Sequence, residues 1–207
     1  MKIDSILLIG PTGAGKSPLG EHIEKQGVAG RRCHHFDFGH QLRTIAEEKF
    51  PPKEFTTTEH LFIRYALEKA LLLERRHFPI AEKIVSSFLR KRQYSQGDLI
   101  LLNGLPRHVE QAFDMDQIIS VHSLVILECP AEVVHKRIIT NSGGDRTGRN
   151  DDDIALIKKK LGIFRDRTAP LINHYSGKCY SIVRLTVRWD SSTADIYTNL
   201  LQLINMH

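Results

Sequence analysis

The stretch GPTGAGKSPLG, Gly10 to Gly20, lies between a short apolar run, Ile6–Ile9, and a segment of helix formers that stops at Gly27. Gly10-x-x-x-x-Gly15-Lys16-Ser17 is a complete phosphate-loop pattern, and strand before, helix after is the setting in which that pattern has chemical meaning. Its glycines let successive backbone N–H groups turn inward on a polyphosphate, to which the helix N-terminus adds its positive end. Lys16 can bridge the terminal phosphates and the Ser17 hydroxyl can ligate Mg²⁺. Gly10, Pro11, Thr12, Gly13, Ala14, Gly15, Lys16 and Ser17 therefore form the expected ATP-binding loop. Pro18 is tolerated because it falls in the first helical turn, where N–H groups lack intrahelical partners.

Working outward, the chain reads as strands alternating with helices. Further strands are expected at Cys33–Asp37, Asp98–Leu102, Val121–Glu128 and Tyr180–Val187. Helices are expected at Gln41–Lys49, Thr58–Arg76, Ile80–Lys91, Val109–Met115, Ala131–Thr140, Asp152–His174 and Thr193–Ile204. Five strands separated by helices imply βαβ units: an α/β fold of the P-loop NTPase type, three-layered, with a central, mainly parallel five-stranded sheet. Two stretches read as excursions from one core: the all-helical region after Gly39, and the glycine-rich NSGGDRTGRN, Asn141–Asn150.

The bulk numbers agree with one domain. The chain has 207 residues, 41% hydrophobic and 26% charged, without an apolar run near the length of a membrane span. MKIDSILLIG runs straight into the glycine loop and reads as a buried strand, not a signal peptide. Cys33, Cys129 and Cys179 are odd in number and widely spaced, which suits a reducing, cytoplasmic setting and no thiolate zinc site. A net charge of +5 favours an anionic partner. The basic stretch Leu89–Gly97 lies at a helix end, where cations favour the dipole, so nucleic acid is not the expected partner. CHHFDFGH, Cys33 to His40, gathers metal-ligand residue types, but neighbouring side chains on a strand point to opposite faces.

Ligands of open α/β sheets bind beyond the carboxyl ends of the strands. Two arginines are expected there. After the strand ending near Asn103, the chain turns through Gly104-Leu105-Pro106 and presents Arg107, with Gln111 one helical turn on. Arg107 can fork two phosphate oxygens, and Gln111, donor and acceptor at once, suits the edge of a base. After Asp37, a turn at Gly39 sends back Arg43.

These elements together resemble the adenylate kinase (nucleoside monophosphate kinase) family. Gly39-His40-Gln41-Leu42-Arg43 is similar to its Gly-Asp-x-Leu-Arg element, and Asn103-Gly104-Leu105-Pro106-Arg107 with Gln111 to its Asp-Gly-Phe-Pro-Arg…Gln. CPAEVVHKRI from Cys129, TGRNDD at Thr147–Asp152 and TAPLINHY at Thr168–Tyr175 follow in family order. The resemblance implies a core (1–38, 92–140, 151–207), a helical monophosphate-binding insert (39–91) and a short, zinc-free lid (141–150). It implies transfer of the γ-phosphate of ATP to a nucleoside monophosphate, AMP by default, with Mg²⁺, by a monomer. Phe38, Gly39, Arg43, Gly104, Arg107 and Gln111 would hold the monophosphate. Arg137, Arg149 and Lys160 would close over the transferring group, with Lys16, Arg107 and, less directly, Arg146 helping. Asp151 and Asp152 would cap a helix and anchor lid arginines.

Departures from the family pattern bear on the metal and the base. Asn103 and His40 stand where the family usually has carboxylates that organise waters around Mg²⁺. Asn103 can still accept from a metal-bound water, and Asp37 has two readings: it supplies the missing charge, or it ends the strand and caps the next turn. Asn141 and Lys160 replace arginines, and Phe38 replaces a common Thr, so base preference does not carry over. A kinase for another small phosphoryl acceptor and a nucleotide-binding module with little or no transfer activity are the alternative expectations.

Overall fold

The computed structural model describes residues 2–144 and 154–204. Five strands, β1 (Ile3–Ile9), β2 (Cys33–Asp37), β3 (Leu99–Asn103), β4 (Ile119–Glu128) and β5 (Ser181–Thr186), form one sheet in the order β2-β3-β1-β4-β5. Every neighbouring pair is parallel. Side chains alternate across it, as period two requires. Leu7, Ile9, Phe36, Ile100, Leu102, Leu124 and Ile126 face one layer. Ile6, Leu8, Leu99, Leu101, Val125, Leu127, Val183 and Leu185 face the other.

Helices α1 (Lys16–Gln26) and α9 (Thr193–Ile204) cover the second face through Leu19, Ile23, Ile196 and Leu200. The first face is covered by α2 (Phe38–Glu47), α3 (Thr57–Glu68), α4 (Phe78–Arg92), α5 (Val109–Met115) and α8 (Leu171–Ser176). Helix α4, though inside the segment expected as an insert, packs on the sheet, with Phe88 edge-on to Phe36 at 5.0 Å between ring centres. α6 (Ala131–Ile139) and α7 (Ile154–Ile163) share a small cluster of Val134, Ile138 and Ile157. No helix among the described residues is long and apolar enough to cross a membrane.

Two expected helices are each divided. The one over Thr58–Arg76 starts at Thr57 under a Thr56/Glu59 capping box but ends at Glu68. There Ala70 turns left-handed (φ 47°), Ala70 N–H bonds to Leu67 O at 3.1 Å and Leu71 N–H to Ala66 O at 2.8 Å. That is a Schellman ending with alanine where glycine is usual, which is why it left no mark in the sequence. The helix expected over Asp152–His174 is interrupted by a π turn, Phe164–Thr168, where Ala169 N–H reaches Phe164 O at 2.8 Å. Pro170 then lacks an N–H to continue the ladder, and α8 starts afresh. Residues 152 and 153 lie outside the described residues.

Register sets up the site. Leu8 pairs with Asn103, and Asp37 with the same Asn103. The carboxyl ends of β1, β3 and β2 therefore lie side by side, and the segments leaving these three strands meet in space.

Candidate active site

The phosphate loop leaves β1 at Gly10 and enters α1 through Gly15, a left-handed N-cap (φ 93°). Gly13 is also left-handed (φ 78°), and a Cβ there would sit 2.8 Å from Ile138 on α6, so the turn and the packing both require glycine. Lys16 Nζ donates to the carbonyls of Gly10 (2.7 Å) and Pro11 (2.8 Å), folding the side chain back along its own loop.

Beside this loop three oxygen-bearing side chains converge. Ser17 Oγ donates to Asp37 Oδ2 at 2.5 Å, and Asn103 Nδ2 donates to Asp37 Oδ2 at 3.0 Å and Ser17 Oγ at 3.1 Å. Asp37 Oδ1 accepts the His40 N–H at 2.9 Å, capping α2. The cap therefore occupies one oxygen of Asp37, and the other stays with Ser17 and Asn103. Burial pushes the Asp37 carboxyl up, but the Ser17 hydroxyl, the His40 N–H and the nearby charges, Arg43 among them, outweigh it and hold the group below the usual range. His40 is exposed and enters only through its backbone. The Ser17 hydroxyl and the ionised Asp37 carboxylate are hard oxygen donors next to a polyphosphate loop and fit Mg²⁺, while Asn103 turns its Nδ2 towards them.

His35 supports this group from behind. Its buried ring lies 3.4 Å from Asn103 Nδ2 through Nε2, and burial pushes the imidazole pKa down, keeping it neutral. A Cβ on Gly20 would collide with the His35 ring, so α1 makes room for it with a glycine. The expectation at Cys33–His40 passed over His35, although period two puts it on the face of Asp37. His34 turns the other way, to Asp98 Oδ2 at 2.8 Å.

Facing the loop across a cavity of about 240 Å³ are Arg43 and Arg107. Neither guanidinium makes a hydrogen bond or ion pair with any described residue. Burial lowers the Arg107 pKa and the Asp37 charge opposes that shift. A Cβ on Gly39 would lie 3.4 Å from Arg43 Nη1, so the backbone passes close beneath this arginine. Phe38, Gly39, Gly104 and Lys160 also line the cavity. Thr168 Oγ1 fixes the Arg107 carbonyl at 2.8 Å.

Two expected site residues are placed differently. Arg137 does not line the cavity. It is buried, and its guanidinium donates to the carbonyls of Gly13 (3.2 Å), Arg188 (2.9 Å) and Ser191 (3.0 Å), tying the phosphate loop to the turn before α9. In this geometry its guanidinium braces the phosphate loop, with Nη2 3.4 Å from where a Cβ on Gly15 would sit. Gln111 is buried at 1% exposure and is likewise absent from the cavity wall. Arg146, Arg149, Asp151 and Asp152 lie outside the described residues.

The parallel sheet, the phosphate loop and the arginine-walled cavity define a P-loop phosphotransferase of the nucleotide-kinase class. A gluconokinase from Sinorhizobium meliloti 1021 has this fold, with a TM-score of 0.56 and 17% identity over 100% of this chain and 94% of its own. No family model matches the chain. An adenylate kinase from Prochlorococcus marinus is 30% identical over 178 residues, 82% of this chain and 83% of the relative. A uridylate kinase from Saccharomyces cerevisiae is 30% identical over 105 residues, half of this chain and 49% of its own. The chain belongs to the adenylate kinase family of nucleoside monophosphate kinases and is an ATP-dependent phosphotransferase.

Proposed function

We propose that the chain transfers the γ-phosphate of ATP to a nucleoside monophosphate, with AMP the default acceptor because the similar proteins are mostly adenylate kinases. The observation that carries this reading is the pair Arg43 and Arg107, unpaired with any described residue and sharing one cavity with Lys16 and Ser17. Two nucleotides meeting end to end bring together about six negative charges, which must be neutralised before in-line transfer is feasible. Arg43 and Arg107 hold the acceptor phosphate, and Gly39, Gly104 and Phe38 shape its surroundings.

An acceptor oxygen forms a bond to the γ-phosphorus while the bond to the β–γ bridging oxygen breaks, releasing ADP. No general base is needed, because the attacking oxygen belongs to a phosphate already largely ionised near neutral pH. The loop of Gly10 to Ser17 holds the donor phosphates. Lys160, and Arg149 from the lid at 141–150, complete the positive surround, and Arg137 positions the loop. Ser17, with Asp37 and Asn103 through water, would hold Mg²⁺, which when bound spreads the charge of the phosphate oxygens. The reading extends to a cytoplasmic monomer built as a core, an insert from Gly39 and a lid.

Phosphorus NMR of the protein with Mg-ATP and a panel of monophosphates tests this: diphosphates of the acceptor should accumulate. Binding of ATP without any such product would refute transfer and leave a nucleotide-binding module, the reading favoured by the missing carboxylates at His40 and Asn103. Turnover of a different phosphoryl acceptor in place of monophosphates would favour the remaining alternative.

A further inference from the structure

The neighbours of Asn103 allow its amide one orientation. Three atoms surround the Nδ2 end: Asp37 Oδ2 at 3.0 Å, Ser17 Oγ at 3.1 Å and His35 Nε2 at 3.4 Å. An ionised carboxylate oxygen can only accept. Ser17 has one hydroxyl proton and gives it to Asp37 Oδ2, so towards Asn103 it too can only accept. Residue 103 must therefore present its NH2 group here and not its carbonyl oxygen. Asp37 Oδ2 and Ser17 Oγ are 2.5 Å apart, near enough to share one N–H as a three-centre bond. The second N–H then falls to His35.

An N–H at His35 Nε2 would meet that NH2 group head on, so Nε2 carries a lone pair and the ring proton sits on Nδ1. The opposite tautomer calls for the opposite amide. It would draw Asn103 Oδ1 to the ring and set that oxygen against the Asp37 carboxylate. The surroundings hold the buried ring in place: Gly20 leaves the groove that it occupies against α1, and Glu24 on the same helix accepts the His35 backbone N–H at 3.1 Å. With Nδ2 engaged in this way, Asn103 Oδ1 has no partner among the described residues, and Asn103 lines the cavity.

We propose that His35 is a positioning residue for the metal site: by presenting a lone pair at Nε2, it selects the amide orientation in which Asn103 donates to Asp37 and Ser17 and keeps Oδ1 free. Asn103 then supports the charged group, Asp37, through one end of its amide and offers a neutral oxygen at the other. This rests on the Mg²⁺ reading above. Groups that orient the residues around a metal are worth about 10–100-fold in metal affinity or activity. A residue that only filled the groove left by Gly20 would lose none of that when another ring took its place.

Nitrogen-15 NMR of the histidine rings in the ligand-free chain, with His35→Gln to assign the signal, reads the tautomer directly. In the wild type near neutral pH, Nε2 should be bare and Nδ1 protonated. In Asn103→Asp, where residue 103 offers only acceptors, Nε2 should gain a proton. A protonated Nε2 in the wild type, or a ring indifferent to Asn103→Asp, overturns the proposal. The Mg²⁺ concentration that gives half-maximal rate at saturating nucleotide should rise by about 10–100-fold in His35→Phe, which keeps a ring but no lone pair. It should return most of the way in His35→Gln, whose Oε1 can accept from Nδ2. Equal Mg²⁺ requirements in the wild type and His35→Phe would leave His35 a filler of the groove and also overturn the proposal. If His35→Phe does not fold, the two NMR comparisons decide. Wild-type turnover that needs no Mg²⁺ would instead refute the metal reading on which the proposal depends.

Discussion

Asp37 gives its two carboxylate oxygens to different neighbours: Oδ1 to the backbone of His40, Oδ2 to Ser17 and Asn103. The negative charge beside the phosphate loop therefore comes from the end of β2, next to the β3 end where Asn103 is neutral. Asp37→Asn removes that charge while keeping an acceptor for His40, and should lower kcat by about 10²–10³, the scale of losing one preorganised electrostatic partner. The double variant Asp37→Asn with Asn103→Asp puts the charge back one strand over and should recover most of the loss. Mg²⁺ titrations of ATP binding, followed by calorimetry, should show weakened metal dependence in the single variant and its return in the double. An unrecovered double variant would mean that the charge acts only from the end of β2 and cannot be supplied one strand over. Asp37 was legible in the sequence as a choice between two roles, because both follow from a carboxylate at a strand end before a glycine turn. The engagement of Gln111 was not legible, since its partner is a backbone carbonyl 38 residues away that any side chain at position 73 would have provided.

At the scale of elements, the alternation of strands and helices was readable because each strand is a short apolar run with clear stops. The divided helices were not, because Ala70 in a left-handed turn looks like an ordinary helical residue and the π turn precedes Pro170 without any residue that marks it. How the pieces dock depends on contacts between elements, and Asp116, the C-cap of α5, shows it. Its carboxylate takes His174 at 2.9 Å, the buried Tyr175 hydroxyl at 3.0 Å and Lys178 at 2.7 Å, joining α5 to α8 and the turn beyond. Burial raises the Asp116 pKa, but the hydrogen bonds from Lys178, His174 and Tyr175 lower it further, so the folded value lies below the unfolded one. A depressed carboxylate contributes stability that is present above the unfolded pKa of about 3.9 and is lost as pH falls through the folded value. Asp116→Asn should cost about 1–2 kcal/mol at pH 7, from loss of charge-assisted bonds. In urea unfolding followed from pH 7 to pH 3, the gap between wild type and variant should hold down to about pH 4 and narrow below it. A gap independent of pH would remove the charge from the explanation.

For the whole molecule, the cavity is bounded by segments that are distant in sequence but joined to one another around it. Lys159 Nζ on α7 donates to the Lys69 carbonyl at the end of α3 at 2.6 Å, and Arg167 in the π turn pairs with Glu74 at 3.0 Å. The arginines on either side of the acceptor end, Arg43 and Arg107, come from α2 and from the turn after β3. A ligand that fills only the loop engages one end of this frame, whereas a polyphosphate joining two nucleosides engages both. Because a ligand that binds only the folded state stabilises it by RT ln(1 + [L]/Kd), about 2.7 kcal/mol at a hundredfold excess over Kd, the two cases separate in a thermal melt. Mg-ATP alone should raise Tm in the wild type and in the Arg43→Ala/Arg107→Ala double variant alike. The bisubstrate polyphosphate should raise the wild-type Tm further, and that additional rise should vanish in the double variant, since each guanidinium contributes about 1.5–3 kcal/mol to a charge-assisted contact. An additional rise that survived the loss of both arginines would place the second phosphate elsewhere and sever the acceptor reading from the cavity, while leaving the phosphate loop as the ATP site.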